Sequence, residues 1–395
     1  HLVRMKATSS KDFAYAVNPM KILSWPVGTW PLQHYDIFSA IRLKLTCFKI
    51  LILLQLLMIM IVQSEMYLDS SDAEKNLDAV VILTCGYLAV SKVVQFRIHP
   101  AGLISNFTSA VKDYNELNDQ EKRLIVRRHA YMGRVAGISG VLFAYFSATL
   151  FTTLPLLAAE EMKDAVNVTE ESIPEYPIPS EKVVALVKIP ENLYFIVFIV
   201  EYLMLLLTSN GNLGNDSLFF GITFHVCGQV EILKLDFKRL RNENERTKER
   251  FSVLTRRHVY LLNLAKMLDD TISSILAVQL FTRLQFIIAL SVGNIVMTIK
   301  TFLVLNCLLV QLFAYSYVGE YLKRQMESVG DSIYSCSWYD IPNSVAKDII
   351  YVIMRTQDPV YLKAGKFFIV NMETYMSIIK TSMSYLSVLR VMIST

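Results

Sequence analysis

The chain has 395 residues, of which 53% are hydrophobic and 19% are charged, against about 25% charged residues in soluble domains. The net charge of +4 is too balanced to predict a nucleic-acid partner. Charged residues are absent from long stretches such as residues 135–159 and dense between them. This distribution excludes an ordinary soluble domain and predicts helices that cross a lipid bilayer, since roughly 20 apolar residues in a helix span its core.

Continuous apolar runs without residue-by-residue alternation favour helices over the strands of a membrane barrel. The sequence therefore predicts an all-α membrane protein with seven transmembrane helices. A polar stretch at residues 208–217 predicts a break or kink at the inner end of the fourth span. The predicted spans cover residues 45–64, 77–96, 135–158, 190–209, 284–299, 301–320 and 368–393.

Lysine and arginine are unevenly distributed between the connections. They are frequent in the N-terminal segment and in residues 92–134 and 231–270, whereas the connection at 65–76 has only Lys75. Because basic residues collect on the cytosolic side of membrane proteins, the N-terminus is predicted to be cytosolic and the C-terminus extracellular. This orientation is opposite to that of a G-protein-coupled receptor.

The connection between the third and fourth spans holds a glycosylation sequon, Asn167-Val168-Thr169, on the predicted outer side. Two further sequons, at Asn106 and Asn215, lie on the predicted cytosolic side, where we expect no modification. The five cysteines form no C-x-x-C pair, and the histidines do not have the spacing of metal ligands. We therefore expect no metal, no cofactor and no enzymatic activity.

The cytosolic connections have the composition of helices. Residues 243–268 have high helix propensity and few breakers, and residues 345–354 predict a short helix that ends before Asp358-Pro359. We expect these helices to pack below the membrane as an anchor for an oligomer. His225 and His258 are interpreted as buried hydrogen-bonding residues, and the run at Arg256-Arg257 as a solvated or lipid-facing basic patch.

The C-terminal third contains a series of short motifs in a fixed order. The motifs are Gly319-Glu320-Tyr321-Leu322, Glu327-Ser328, Trp338-Tyr339, Arg355-Thr356-Gln357-Asp358-Pro359, Leu362, Ala364-Gly365 and Lys380-Thr381-Ser382-Met383-Ser384-Tyr385-Leu386. In these motifs and their order, this part of the chain resembles the insect odorant-receptor family. Upstream, Asp216-Ser217-Leu218-Phe219 and His225 also fit. Departures from the family pattern are Glu320 for Asn, Ser332 for Ala, Met383 for Tyr and Leu386 for Phe.

The fourth connection is shorter than in the co-receptor subunit of these channels, so the chain resembles a ligand-binding, or tuning, subunit. A gustatory receptor of the same superfamily is the alternative. Its last span has Gln-Phe where this chain has Thr381-Ser382, which disfavours it. A seven-span G-protein-coupled receptor is the second alternative.

The resemblance implies an odorant-gated, non-selective cation channel in the plasma membrane of olfactory sensory neurons, assembled as a heterotetramer with co-receptor subunits. The implied segments are residues 1–215 (N-terminal segment and spans one to four, which hold the ligand pocket), 216–283 (cytosolic helical connection), 284–320 (spans five and six), 321–367 (cytosolic helical segment) and 368–395 (pore-lining span).

The last span has a stripe of small polar residues that leads to aliphatic residues near its outer end, which suits a pore helix with a hydrophobic gate. By the resemblance, the gate falls on Val388, with Ser384 and Val391 one turn to either side.

Small volatile ligands need a mostly apolar pocket with few polar groups, and the resemblance places it in the outer half of spans two to six. Glu201, inside the fourth span, must face the bundle or water because a carboxylate is costly in lipid. The candidate ligand-binding residues are Leu83, Tyr87, Phe143, Phe146, Thr149, Met204, Thr208, Phe302 and Leu305.

Overall fold

A computed structural model describes residues 7–24, 39–68, 73–98, 101–166, 176–241, 245–289, 295–365 and 367–394. This part of the chain is almost entirely helical. Short 3-10 turns lie at Glu191–Leu193 and Trp338–Asp340. The helices are α1 (Ala7–Ser24), α2 (Ser39–Leu68), α3 (Ala73–Ile98), α4 (Ala101–Glu116), α5 (Gln120–Val166), α6 (Glu181–Val187), α7 (Tyr194–Lys238), α8 (Glu245–Ala289), α9 (Ile295–Tyr334), α10 (Asn343–Thr356) and α11 (Met372–Ser394).

Five of the described helices, namely α2, α3, α5, α7 and α9, are long and apolar enough to cross a membrane. They contain the predicted spans one, two, three, four and six. The predicted fifth span begins in the last part of α8, and α11 holds the seventh. Several of these helices continue well beyond the length that a bilayer needs, so the bundle extends into the predicted cytosolic region without a change of element.

The long helix α7 is central, since it packs against α1, α2, α3, α4, α5, α8 and α9. Of the break or kink predicted at residues 208–217, the break is wrong, because α7 is one continuous helix through this stretch. The side-chain amides of Asn212 and Asn215 donate to the carbonyls of Thr208 and Gly211 one turn back. Nearly all of these small and polar residues are buried between helices, where such residues allow close packing in a membrane.

The boundary between the fifth and sixth spans also differs from the prediction. We predicted spans at 284–299 and 301–320, but α8 ends at Ala289 and α9 begins at Ile295, so the last residues of the predicted fifth span belong to the next helix. Hydropathy did not reveal this boundary because residues 290–294 (LSVGN) carry no charge and stand between two apolar runs.

The largest buried cluster lies below the predicted membrane region, among α4, α7, α8, α9 and α10. The helices predicted in the two connections are confirmed as helices, the first as the initial part of α8 and the second as α10, and their cytosolic location stays a prediction. The implied segment boundaries at 215/216 and 320/321 fall inside α7 and α9. These boundaries therefore do not coincide with the ends of helices. They stay predictions of where each helix leaves the membrane.

A short hairpin leads into the last helix. Strand β1 (Lys363–Ala364) pairs antiparallel with β2 (Phe368–Ile369). Gly365 between them has a φ of 63°, a left-handed conformation that glycine adopts without a steric cost. The Gly365 amide donates to Ser273 O of α8 at 2.8 Å, and Ser273 Oγ donates to Gly365 O at 3.0 Å. The hairpin therefore ties the start of α11 to α8.

Candidate functional site

A fully buried ion pair lies in the centre of the helical bundle. Lys92 of α3 lies with its Nζ 2.9 Å from both carboxylate oxygens of Asp216 of α7, and each side chain is only 1% exposed. Lys92 Nζ also donates to Asn212 O at 2.7 Å. The assignment of Lys92 to the cytosolic connection at residues 92–134 is wrong, because α3 continues to Ile98 and holds Lys92 inside the bundle.

Further hydrogen bonds extend the ion pair to two more helices. Tyr315 of α9 donates its hydroxyl to Asp216 Oδ1 at 2.6 Å, and Gln311 Nε2 donates to Asp216 Oδ2. Gln279 Nε2 of α8 donates to Gln311 Oε1 at 3.0 Å. We call these groups, with Lys92, the polar network. It satisfies a buried carboxylate from several sides, which a charge in low dielectric requires, and it connects α3, α7, α8 and α9.

A cavity of about 90 Å³ lies on the outer side of the polar network. On α3, α7 and α9, most of the lining residues come before the network residues in the chain. Thus Cys85 precedes Lys92 on α3, and Leu308 precedes Tyr315 on α9. The lining is mainly apolar and comes from α3, α5, α7 and α9. The lining residues are Val81, Ile82, Cys85, Ala144, Ser147, Ala148, Phe151, Leu205, Thr208, Ser209, Asn212, Leu213, Val304, Cys307, Leu308 and Gln311.

Of the nine candidate ligand-binding residues, Thr208 lines this cavity, and its hydroxyl is bonded to Gln55 and Met204. Leu83 and Met204 are buried together in a neighbouring apolar cluster at the outer end of the bundle. The remaining six do not line the cavity. Tyr87, Phe146 and Phe302 are exposed; Phe143, Thr149 and Leu305 are half-buried, with Thr149 Oγ1 2.8 Å from Tyr202 Oη.

Two carboxylates hold the segment that precedes α6 against the outer end of the bundle. Glu201 of α7 accepts a hydrogen bond from Ser180 Oγ at 2.6 Å. Glu65 of α2 accepts from the amides of Lys182 and Val183, each at 2.9 Å, and so caps the start of α6. Between them Ile178 inserts into the outer apolar cluster. Glu201 therefore faces the bundle, as the cost of a charge in lipid requires.

A wider groove of about 390 Å³ lies between α5, α7 and α9. It shares Leu213 and Gln311 with the cavity and reaches Asp216 of the polar network. Aromatic side chains line much of the remainder, among them Phe220 and Phe313. The polar network thus lies between the cavity and the groove along the axis of the bundle.

The last helix starts at an N-cap, because Asn371 Oδ1 accepts the amide of Thr374 at 2.8 Å. Tyr375 packs edge-on against Phe313 of α9, with 5.6 Å between ring centroids. The predicted pore residues Ser384 and Val388 are exposed in the single chain, and the side chain of Val391 lies outside the described residues. The predicted glycosylation site Asn167 also lies outside them, whereas Asn106 and Asn215 are buried.

The predicted cytosolic region has its own buried polar cluster. Asp113 of α4 lies 3.1 Å from His225 Nε2 and accepts from Arg257 at 2.6 Å. Burial raises the pKa of the Asp113 carboxyl, but the His225 hydrogen bond and the Arg257 charge outweigh it and hold the pKa below its usual value. Arg256 is exposed, as predicted, whereas Arg257 is half-buried, with 30% of its side chain exposed, and is paired with Asp113. His258 is buried, and burial together with Arg355 lowers its pKa to about 4.

Comparison with known proteins covers most of the chain. A family model described as 7tm Odorant receptor matches residues 72–383. The chain is 23% identical over 171 residues to Odorant receptor 22b of Drosophila melanogaster, which is 41% of this chain and 43% of that protein. It is 28% identical over 182 residues to Odorant receptor 9a of the same species, which is 44% of this chain and 46% of that protein. The chain thus spans less than half the length of the curated relatives it matches.

The likeness to solved structures extends over nearly the whole chain. The insect olfactory receptor OR5 from Machilis hrabei, in complex with eugenol, matches with a TM-score of 0.74 at 15% identity, covering 96% of this chain and 97% of that one. A second structure of the same receptor gives a TM-score of 0.75 at 15% identity, covering 94% of this chain and 97% of that one. At this identity the likeness establishes the fold alone. It confirms the predicted all-α membrane protein with seven spans.

Proposed function

The chain belongs to the insect odorant-receptor family, and from that premise we propose that it is the odorant-binding subunit of a ligand-gated cation channel. The family is one of receptors and not of enzymes. We place the subunit in the plasma membrane of olfactory sensory neurons, in a heterotetramer with co-receptor subunits. The family match favours this function over a gustatory or a G-protein-coupled receptor.

The cavity between α3, α5, α7 and α9 is the observation that carries the proposal. A small odorant needs a concave, mostly apolar site with few polar groups, and the cavity has that lining. Its volume of about 90 Å³ is smaller than the roughly 150 Å³ of a cavity that takes benzene. An odorant larger than a few heavy atoms must therefore displace lining side chains, and we propose that this displacement moves the helices that carry them.

Occupancy of the cavity changes the channel only if the ligand binds one conformation more tightly than another. The polar network lies directly below the cavity and joins four helices, so an outward movement of a lining helix strains its hydrogen bonds. Two of the network residues, Gln311 and Tyr315, are on α9. The same helix contacts α11 through Phe313 and Tyr375. We propose that α9 transmits ligand binding to the last helix.

We propose that α11 of each subunit lines a central pore, with the gate formed by Ser384, Val388 and Val391. Ser384 and Val388 take no part in the packing of the single chain and stay exposed, as residues that meet other subunits or a pore must. Val388 is apolar, and a narrow apolar ring closes a pore by excluding water. Movement of α11 away from the axis then wets the ring and admits sodium, potassium and calcium ions.

Within the nine candidate ligand-binding residues, the cavity gives Thr208 the most direct role. Leu83 and Met204 act from the adjoining apolar cluster. The six others remain predictions that require a pocket larger than the present cavity. Exchange of cavity-lining residues is therefore the sharper test of where the odorant binds.

Currents recorded from cells that express the chain with a co-receptor subunit test this function. The variant Ala148→Phe fills the cavity, and we expect it to abolish or strongly shift odorant responses across a panel of volatile compounds. The control Leu142→Phe lies on the same helix but faces outward, and it should respond like the unmodified chain. Equal responses of both variants, at equal surface expression, would contradict the proposed site.

A further inference from the structure

One side-chain oxygen in the cavity wall has no hydrogen-bond partner among the described residues. Asn212 is only 7% exposed, and its Oδ1 is buried and unpaired. The orientation of the amide is fixed, because its Nδ2 donates to Cys85 O and Thr208 O, each at 3.1 Å. A flipped amide would place two carbonyls against an oxygen. Asn212 therefore presents an acceptor in the cavity wall.

A second unpaired group lines the same cavity on the opposite helix. Ser147 of α5 is 5% exposed, and its Oγ has no partner within the described part of the chain. Threonines of the same helix are satisfied differently, since Thr149, Thr152 and Thr153 each donate to a carbonyl four residues earlier. Ser147 is thus a buried hydroxyl that can both donate and accept.

The other polar side chains of the lining are already engaged. Ser209 donates to Leu205 O, and Gln311 is held in the polar network. Leaving a buried polar group unpaired costs more free energy than a typical hydrogen bond contributes. A ligand that satisfies Asn212 and Ser147 removes that cost, whereas a purely apolar ligand of equal size does not.

We propose that the cavity selects small compounds that carry a hydroxyl, such as short alcohols. The ligand hydroxyl donates to Asn212 Oδ1, and its oxygen accepts from Ser147 Oγ. Ketones and esters of the same size have no donor for Asn212 and bind less tightly. This inference rests on the proposed function, which places the odorant in this cavity, and it adds the chemical class of the ligand.

The position of Asn212 also gives the hydroxyl a route to the rest of the bundle. The main-chain oxygen of Asn212 accepts from Lys92 Nζ at 2.7 Å and from Gln311 Nε2 at 3.3 Å. Asn212 therefore binds the ligand through its side chain and the polar network through its main-chain oxygen. A hydroxyl bound to Oδ1 acts at the point where α3, α7 and α9 are joined.

Direct binding to the purified full chain in lipid nanodiscs tests the selection without requiring a current. The probes are 1-butanol, 2-butanone and 1-chlorobutane, which have similar size and offer respectively a donor and an acceptor, an acceptor alone, and neither. Binding is measured by ligand-observed NMR, with partition into empty nanodiscs subtracted. Because each neutral hydrogen bond changes affinity by about two- to tenfold, we expect 1-butanol to bind tightest and 1-chlorobutane weakest.

Two variants assign the preference to its residues. Ser147→Ala removes only an unpaired hydroxyl, so we expect normal folding and a loss of about two- to tenfold in the preference for 1-butanol over 1-chlorobutane. Asn212→Leu should remove the preference for 1-butanol over 2-butanone. The control Val304→Ala enlarges the cavity but changes no polar group, and both preferences should persist.

The outcomes separate this inference from the proposed function. Equal binding of the three probes, or preferences that survive in both polar variants, overturns the selection of hydroxyl ligands. Preferential binding of 1-butanol without any odorant-evoked current in the presence of a co-receptor supports the selection and contradicts the channel. If Asn212→Leu does not fold, Ser147→Ala alone decides the result, because its folding loses no observed hydrogen bond.

Discussion

Removal of the charge at Lys92 should destabilise the chain more than any exchange of an exposed basic residue. Lys92→Met keeps most of the side-chain volume but deletes an ammonium group that lies 2.9 Å from both oxygens of Asp216. Among the described residues, the carboxylate would keep Tyr315 and Gln311 as hydrogen-bond partners but no positive charge. A buried charge without its counter-ion is one of the few causes of a large loss of stability.

The expected magnitude follows from burial. Both members of the pair are 1% exposed, and loss of one partner of a buried ion pair costs about 3–5 kcal/mol. Asp216→Asn should cost a similar amount, since it leaves the buried Lys92 ammonium without its counter-ion. The double variant leaves no unpaired charge, so it should be more stable than the sum of the single losses predicts by about 1–3 kcal/mol.

Thermal unfolding of the solubilised chain, followed by size-exclusion chromatography of a fluorescent fusion, measures these effects. For a chain of this length we expect Lys92→Met to lower the Tm by about 4–6 °C. Lys112→Met is the control, because Lys112 forms an exposed pair with Glu116, and such pairs contribute at most about 1 kcal/mol. A Tm of Lys92→Met within one degree of the control, or fully additive losses in the double variant, would refute the reasoning.

Three further outcomes are expected. Gly319→Ala should impair folding or gating, because a Cβ there would lie 2.4 Å from Val370 O, just before α11; unchanged currents and Tm would contradict this close approach. Val388→Ala should raise the basal current of the assembled channel by widening an apolar constriction, and an unaltered leak at equal surface expression would count against the gate. The pKa of His258 is lowered to about 4, so its protonation favours the unfolded state: its effect on stability is constant above pH 6.5 and grows as the pH falls towards 4. The Tm of His258→Leu should therefore fall less than the Tm of the unmodified chain when the pH is lowered from 7.5 to 5. Identical slopes of Tm against pH for the two proteins would contradict a neutral buried histidine.

The sequence was sufficient for the class of fold because the charge-free runs and the basic connections are properties of segments. Residues 135–159 are apolar throughout, and no packing detail is needed to predict a membrane helix there. The family motifs around Gly319 and Gly365 have local geometric causes, a close approach to Val370 and a left-handed turn. Each of these local geometries requires a glycine at one position, and a glycine at a fixed place in a motif can be recognised in the sequence.

The polar stretch in α7 could not be predicted in the same way. Asn, Gly and Ser favour turns in water, but in a helical bundle the same residues allow close packing and bond to carbonyls one turn back. Only the neighbouring helices decide between the two outcomes. The same holds for Lys92, which the sequence predicts as a cytosolic charge. Its burial depends on pairing with Asp216 of another helix, and the sequence does not show that pairing.

The ligand cavity was the least predictable feature. Membrane helices are apolar on all sides, so periodicity does not reveal which face points inward. Tyr87 and Phe146 were chosen for their size and chemistry, yet both are exposed in the single chain. The cavity wall includes small residues such as Ala144 and Ser147, which leave space because they do not fill it.

The central claim is that occupancy of the cavity opens a pore lined by α11, and state-dependent modification of the gate tests it most directly. In Val388→Cys channels assembled with a co-receptor subunit, a charged thiol reagent is applied with and without odorant while the current is recorded. The account predicts that the reagent reduces the current and that modification is much faster while odorant is bound. Modification at equal rates in both conditions, or an odorant current unaffected by a reagent shown to have reacted, would contradict it.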